Sequence, residues 1–438
     1  MGLLSGLARI RGGRDRTNVP IQTMKRRFVP VLAVATLPAV LCLASGGSGP
    51  TWAQWRGPAR TGVASGLAAR TAWPAAVRPA WKAEGGLGHS SPVVAESRVY
   101  LFARQGEDEV LQAFELATGK PLWRQANPAP YRVNPAAFSH GPGPKATPVV
   151  AGGRVFTLGI SGILSSYDAA SGRVVWRKEF GKEFPSTWPI YGTAQSPLVD
   201  QGRVIAHVGG DGNGALTAFD VATGAMAWSW KGDGPGYGSP VVADIAGTRQ
   251  VVTLTEKMLV GVAADSGRLL WSVPFTTEYT QNAVTPAVNG DVVIFSGLEH
   301  PVKALRVVAA KGGGWSTKTV WENPDVSLYM SSPVLVGGRL YGLSHRRKGQ
   351  LFCLDAATGK TLWLSDGRQG DNASLVAAGG AMLALTTEGE LIVFEAGGEA
   401  FKVLRRYSVA DTPTWAHLAV VEDGVLVKDE RQLAYFRF

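Results

Sequence analysis

The chain has 438 residues, of which 55 are Gly, 26 Pro and 14 Trp, and only 18% are charged. That mix of turn formers and large aromatics suits many short strands joined by tight turns, and one large all-β unit can reach this length as readily as two or three domains. The formal net charge of +10 does not mark a nucleic-acid-binding face: residues 1–50 carry seven basic side chains against one acid, which leaves about +4 for all that follows.

In chain order, the first feature is a targeting pattern. Met24 reads as the start, with residues 1–23 an upstream extension. Lys25-Arg26-Arg27 forms a positive segment, residues 28–43 are apolar but interrupted by Pro30 and Pro38, and small residues follow at 44–48. The apolar run is shorter than the ~20 residues a membrane span needs. The residues around Arg26-Arg27 fit twin-Arg export poorly, and Leu41 stands where a lipoprotein signal has a small residue before Cys42. Residues 1–47 are therefore expected to be an extension and a general export signal. Residues 48–438 are expected to be a single ring, a monomer, periplasmic or extracellular, with no membrane span and no nucleic acid as partner. Cys42 and Cys353 are the only cysteines, so an exported chain that has lost its signal cannot form an internal disulfide. Cys353 lies in the apolar run 351–354 and reads as a small buried hydrophobe.

From residue 79 onward a repeat dominates. Pro79-Ala80-Trp81-Lys82 reads as a lone strand. Segments that open with Pro and small apolar residues then recur at Pro92, Pro148, Pro197, Pro240, Pro286 and Pro333, spaced by 43 to 56 residues, the period of one four-stranded propeller blade. Within a copy, short apolar runs alternate with Gly-containing turns, a hairpin signature. In most copies a turn Gly precedes a Trp by four residues: Gly119 and Trp123, Gly172 and Trp176, Gly224 and Trp228, Gly267 and Trp271, Gly359 and Trp363. Gly supplies the positive φ of the turn, and the Trp can stack between neighbouring blades. The fifth copy departs, with Gly312-Gly313-Gly314 and Trp321 in place of the tight spacing. Residues 373–404 keep the strand rhythm without a Trp, and residues 416–438 supply only three strands. Pairing the orphan strand at 79–82 with that incomplete last copy would close the ring and remove a sheet edge. The fold expected is all-β: an eight-bladed β-propeller of four-stranded antiparallel blades closed by an N-terminal strand, with seven blades as the alternative.

These repeats resemble the PQQ-type propeller repeat, whose tryptophan-docking motif is matched by Ala117-Thr118-Gly119 with Trp123 and by its sister copies. Trp52-Ala53-Gln54-Trp55-Arg56-Gly57-Pro58 resembles the Trp-x-x-Trp-Arg-Gly-Pro opening of exported PQQ-like propellers. The resemblance spans residues 52–438 and assigns docking roles to Trp81, Trp123, Trp176, Trp228, Trp271 and Trp363. The family includes quinoprotein alcohol dehydrogenases and BamB-like envelope propellers, and one fold of this kind hosts many activities. A dehydrogenase would imply PQQ with Ca²⁺, a vicinal cysteine pair and a Glu, Asn and Asp set around the metal. The cysteine pair is absent and the metal ligands cannot be placed, so no cofactor and no metal are expected, and PQQ with Ca²⁺ is the alternative.

Other catalytic signatures are missing: there is no Gly-x-Ser-x-Gly elbow, Walker A loop or His-Glu-x-x-His helix. Gly210-Asp211-Gly212-Asn213-Gly214 is too short for a calcium loop and reads as a turn. The loops leading into the innermost strands gather at one mouth of a propeller, and here they are polar and aromatic. They carry His89, His140, Lys145, Tyr191, Gln195, Tyr237, Gln281, Asn282, Tyr329, Asp371, Asn372, Trp415 and His417. Such a mouth suits a small polar ligand or a segment of an envelope or secreted protein, and a non-catalytic binding scaffold is the expected role. The adjacent bases Arg346-Arg347-Lys348 fall on a hairpin turn of the outer or lower rim and read as a solvated turn, with contact to an acidic partner as the alternative.

Overall fold

A computed structural model describes residues 51–438 apart from 66, 71 and 422; the expected extension and export signal at 1–47 lie outside the described residues. Thirty-two strands pair into eight four-stranded sheets. Seven sheets are built from consecutive strands, over residues 93–128, 149–178, 198–230, 241–274, 287–323, 334–364 and 373–408. All pairings within the sheets are antiparallel, as one-hairpin connections require. The eighth blade has three strands from residues 419–437, and its outer strand is Pro79–Glu84, paired antiparallel with Gln432–Arg437. The two chain ends thus close one sheet, and no outer edge is left at Gln432–Arg437.

The hydrophobic core lies between blades. Phe156 and Leu158 of the second blade share a cluster with Val204, Ala206 and Phe219 of the third, and the other interfaces repeat the scheme. Five outer-strand tryptophans, Trp81, Trp123, Trp176, Trp228 and Trp321, reach over the Gly turn of the next blade. A Cβ placed on Gly119 would stand 2.5 Å from the Trp81 ring, and one on Gly172 would stand 2.4 Å from Trp123. Only glycine permits this approach, and its φ of +72° at Gly119 is one that L side chains rarely adopt. The indole N–H then donates to a carbonyl of that next blade: Trp123 to Ala169 at 3.2 Å, Trp228 to Ala264 at 3.0 Å, and Trp81 to Leu116 at 2.8 Å.

Trp321, outside the regular spacing, sits in the same relation to Gly359 and donates to the Ala356 carbonyl at 3.1 Å. Trp271 and Trp363 face blades that lack the tight turn. The first donates instead to Gln250 Oε1 at 2.7 Å, and the second finds no partner for its indole nitrogen among the described residues. Trp228 is 7% exposed, so Trp228→Ala should destabilise the ring by about 3–5 kcal/mol in urea denaturation. Trp176 is only half-buried and should cost less on the same measurement.

Why Ser or Thr precedes the opening Pro is visible in a belt of hydrogen bonds around the channel. The Ser91 amide donates to Thr147 Oγ1, Thr147 to Ser196 Oγ, Ser196 to Ser239 Oγ, Ser239 to Thr285 Oγ1, and Thr285 to Ser332 Oγ, all at 2.9–3.2 Å. The His417 amide donates back to Ser91 Oγ at 2.8 Å. Proline restricts the residue before it to extended backbone, which holds each hydroxyl in register. The Arg346–Lys348 turn is not on the outer or lower rim: its backbone bonds the loop leading into the seventh blade, with the Arg368 amide donating to the Arg347 carbonyl at 3.0 Å. It connects second and third strands, and such turns share the face of the loops that lead into each blade.

Candidate functional site: a blind pocket at the channel mouth

The segment that opens Trp52-Ala53-Gln54-Trp55-Arg56-Gly57-Pro58 runs into the central channel. Trp52 exchanges backbone hydrogen bonds with Val94 of the first blade at 2.8 and 3.1 Å. The Ala53 carbonyl accepts from Val150 of the second, and Ala64 donates to Ala377 of the seventh. Gly57 is required here because a Cβ would stand 2.8 Å from the Trp52 ring, at a φ of +85°.

Two arginines then reach outward like spokes. Arg60 donates to the carbonyls of Pro240 at 2.8 Å and of Pro197 and Ser196 at 3.0 Å, and Arg56 donates to those of Pro333 and Thr61. Both guanidinium groups are buried and have no carboxylate within ion-pairing distance among the described residues. Burial lowers Arg56 to about 10. Burial and then the charge of Arg56 lower Arg60 to about 9. The channel is closed beneath its mouth by this plug, and Trp55 forms part of the pocket floor, its indole donating to Thr285 Oγ1 at 3.1 Å.

Above the plug lies a pocket of about 140 Å³. It brings together His89, His140, Lys145, Tyr191, Tyr237, Gln281, Trp415 and His417 from the expected set. His140 is carried on the short helix Pro135–His140, whose start is fixed by Asn134 accepting from the Ala136 amide. His89 stacks on Trp415 with centroids 5.4 Å apart and planes 17° from parallel. His140 meets both rings edge-on, at 5.8 and 5.3 Å. His417 lies against Trp55 at 4.1 Å, and Tyr191 against Tyr237 at 5.6 Å.

The other expected residues stand elsewhere. Asn282 is buried and its amide donates to the carbonyls of Thr255, Glu256 and Phe275, which makes it a backbone clamp. Gln195 is buried and donates to the Leu254 carbonyl at 3.1 Å. Tyr329 backs the pocket wall through its hydroxyl, which donates to Gln281 Oε1. Asp371 is exposed, with its amide bonded to Glu388, and Asn372 supports Thr387 through its carbonyl; neither lines the pocket. Trp55, Ala194, Ser239, Ala283 and Met330 complete the lining without having been singled out as mouth residues. The Trp55-Arg56-Gly57-Pro58 string carried the signal for the first.

The electrostatics of the pocket have one sign. Lys145 donates to the Tyr191 carbonyl and is lowered by burial to about 8. Lys428, behind His89, donates to the carbonyls of Gly88 at 2.7 Å and Asp429 at 2.9 Å and is also lowered by burial to about 8. Burial, then Lys145, His140 and Lys428, hold His89 well below the usual imidazole range. Burial, then Lys145, lower His140 to about 4. The imidazoles are therefore neutral at physiological pH, and the ammonium of Lys145 is the charge presented. None of the lining side chains is a carboxylate, and among the described residues no three His, Cys, Asp or Glu side chains converge as a metal site would need. Calcium demands hard oxygen ligands, chiefly carboxylates, so these residues do not fit a calcium-held quinone.

Comparison with known proteins gives the lineage. The family model described as "Outer membrane protein assembly factor BamB" matches residues 107–365. BamB of Shewanella oneidensis is 26% identical over 234 residues, 50% of this chain and 56% of its own length. BamB of Burkholderia pseudomallei is 25% identical over 238 residues, 50% of this chain and 54% of its own. The chain thus aligns with about half the length of the curated relatives it matches. Among solved structures, BamB from Moraxella catarrhalis superimposes with a TM-score of 0.59 at 13% identity, over 83% of this chain and all of that one. Quinohemoprotein alcohol dehydrogenase from Comamonas testosteroni gives 0.60 at 15% identity, over 89% and 80%. Identities this low report a shared fold and nothing finer. The repeat, the eight closed blades and a family match across more than half of the sequence together make this chain a member of the BamB family of PQQ-like propellers.

Proposed function

We propose that this propeller is an exported, non-catalytic binding scaffold of the cell envelope that serves outer-membrane protein assembly. The observation that carries the reading is the rim of the mouth. Leu87, Phe138, Ile190 and Tyr279 are large apolar side chains left exposed, Phe138 by 69% and Tyr279 by 65%. Each lies within two residues of a pocket-lining side chain. Most other large exposed apolar residues, such as Met226 and Leu362, lie on outer strands. Apolar side chains exposed on the loops that carry the pocket residues favour a macromolecular partner. The names of the matching relatives supply the setting, and the misfit to calcium ligation weighs against the dehydrogenase alternative.

A photo-crosslinking residue placed at Phe138 in the producing cell, with Leu362 as the outer-strand control, tests this. Adducts with outer-membrane assembly components or their unassembled barrel clients are expected from position 138 alone. An exported, folded variant that gives no such adduct, or equal adducts from both positions, would overturn the scaffold reading. Calcium-dependent, saturable binding of PQQ in equilibrium dialysis would restore the dehydrogenase alternative.

A further inference from the structure

The mouth has the opposite polarity to a cation-assisted cofactor site, and that inversion identifies a ligand chemistry. We propose that the blind pocket is a receptor for a single carboxylate borne on a flat apolar body, with the acid group received by Lys145 and the body held among the rings of Trp55, Tyr191, Tyr237 and Trp415. The inference rests on the binding role proposed above and names what is bound.

Three observations converge on it. The Lys145 ammonium has three donors, and the one hydrogen bond recorded for it goes to the Tyr191 carbonyl. A cation this enclosed without a carboxylate partner among the described residues is costly, and an incoming anion would offset that cost. The second observation is reinforcement from behind: Lys428 is fully buried, bonded only to carbonyls, and adds positive potential at His89 without reaching the pocket surface. The third is wall chemistry. The remaining lining groups are aromatic rings, neutral imidazoles, the Met330 thioether, the uncharged Gln281 amide and small side chains, which suit a largely apolar body and present no competing negative charge. The plug closes the channel below, so the ligand must enter and leave by the mouth.

The groups facing Lys145 are His89, His140, Tyr191 and Tyr237, and Lys428 stands behind His89. The two imidazoles are already neutral above pH 6 and burial holds the Tyr237 phenol protonated, so the lysines govern the pH response. Lys145 loses its proton near pH 8. Affinity for an anion should therefore be near its maximum at pH 7 and about tenfold weaker at pH 9, as the competent fraction falls.

Calorimetry on the full propeller provides the test, using benzoate, its neutral counterpart benzamide, and the blocked peptide acetyl-Phe-Asp-Phe-amide. Benzoate is expected to bind at least tenfold more tightly than benzamide. Lys145→Met should abolish that preference, and Lys145→Arg should keep it. Binding of the blocked peptide alone, with the same dependence on Lys145, would also support the receptor and identify the source as an acidic side chain of a polypeptide. Three results overturn the proposal: equal affinity for benzoate and benzamide, an unchanged preference in a Lys145→Met protein that melts like the parent, or no binding by any probe. Crosslinking at Phe138 does not depend on Lys145, so failure of the receptor would leave the scaffold reading standing, and the reverse holds too.

Discussion

A chain that begins at Lys82 is expected to lose its cooperative thermal transition. The deletion removes the channel plug and half of the strand that completes the eighth blade. Trp52, Leu67 and Trp73 are buried to 5% exposure or less, and losing a buried side chain of this size costs about 2–5 kcal/mol each. Trp81 would leave Gly119 uncovered and the Leu116 carbonyl without its donor. Half of strand Pro79–Glu84 would go, and residues Tyr435 and Phe436 would lose their partners Trp81 and Pro79. Together these terms are on the order of 10 kcal/mol, comparable to the roughly 5–15 kcal/mol by which folded proteins usually exceed unfolding. A chain that begins at Ala75 separates the contributions. It keeps the closing strand and Trp81 but loses the plug, and should still melt cooperatively at a lower temperature. Differential scanning calorimetry reads both, and a Lys82 chain that melts like the full one would show that the N-terminal strand is not what closes the ring.

The legible parts of this molecule were those written as periodic local signals. The Pro-led strands and the Gly-to-Trp spacing are short-range patterns, and they predicted the blades in order. The missing fourth strand after residue 437 and the spare one at Pro79 predicted closure, because an unpaired edge is costly. What stayed hidden depends on where a polar side chain turns at close range. Asn282 and Gln281 are adjacent in the sequence and equally polar, yet one clamps three carbonyls and the other lines the pocket. Gln195 likewise turns inward to a carbonyl 59 residues away. The alternation of Ser or Thr before each opening Pro was present in the sequence, and its meaning needed the ring, since each hydroxyl answers an amide of a different blade. The plug was hidden for the same reason. Trp55 and Arg56 sat in a recognisable motif with Arg60 two residues beyond it, but their acceptors lie in the fifth, sixth, fourth and third blades, which only closure brings to one axis.

Replacing Arg60 with Met should destabilise the ring by about 3 kcal/mol, a value fixed by two opposing effects. Methionine keeps most of the apolar stem and relieves the burial of a charge that has no carboxylate partner. It also strands the carbonyls of Pro240, Pro197 and Ser196, which accept from Arg60 at 2.8–3.0 Å. An orphaned buried acceptor costs about 1–3 kcal/mol, so three of them outweigh the relief unless water replaces the guanidinium. The three carbonyls belong to neighbouring blades, so the loss acts on ring closure rather than within one sheet. Arg60→Lys distinguishes charge from geometry. An ammonium has the charge but not the planar fork that spans carbonyls on two blades, and it should recover less than half of the loss. Urea denaturation of the parent and both variants measures this. A Met variant as stable as the parent would mean that the spokes fill the channel without holding the blades together.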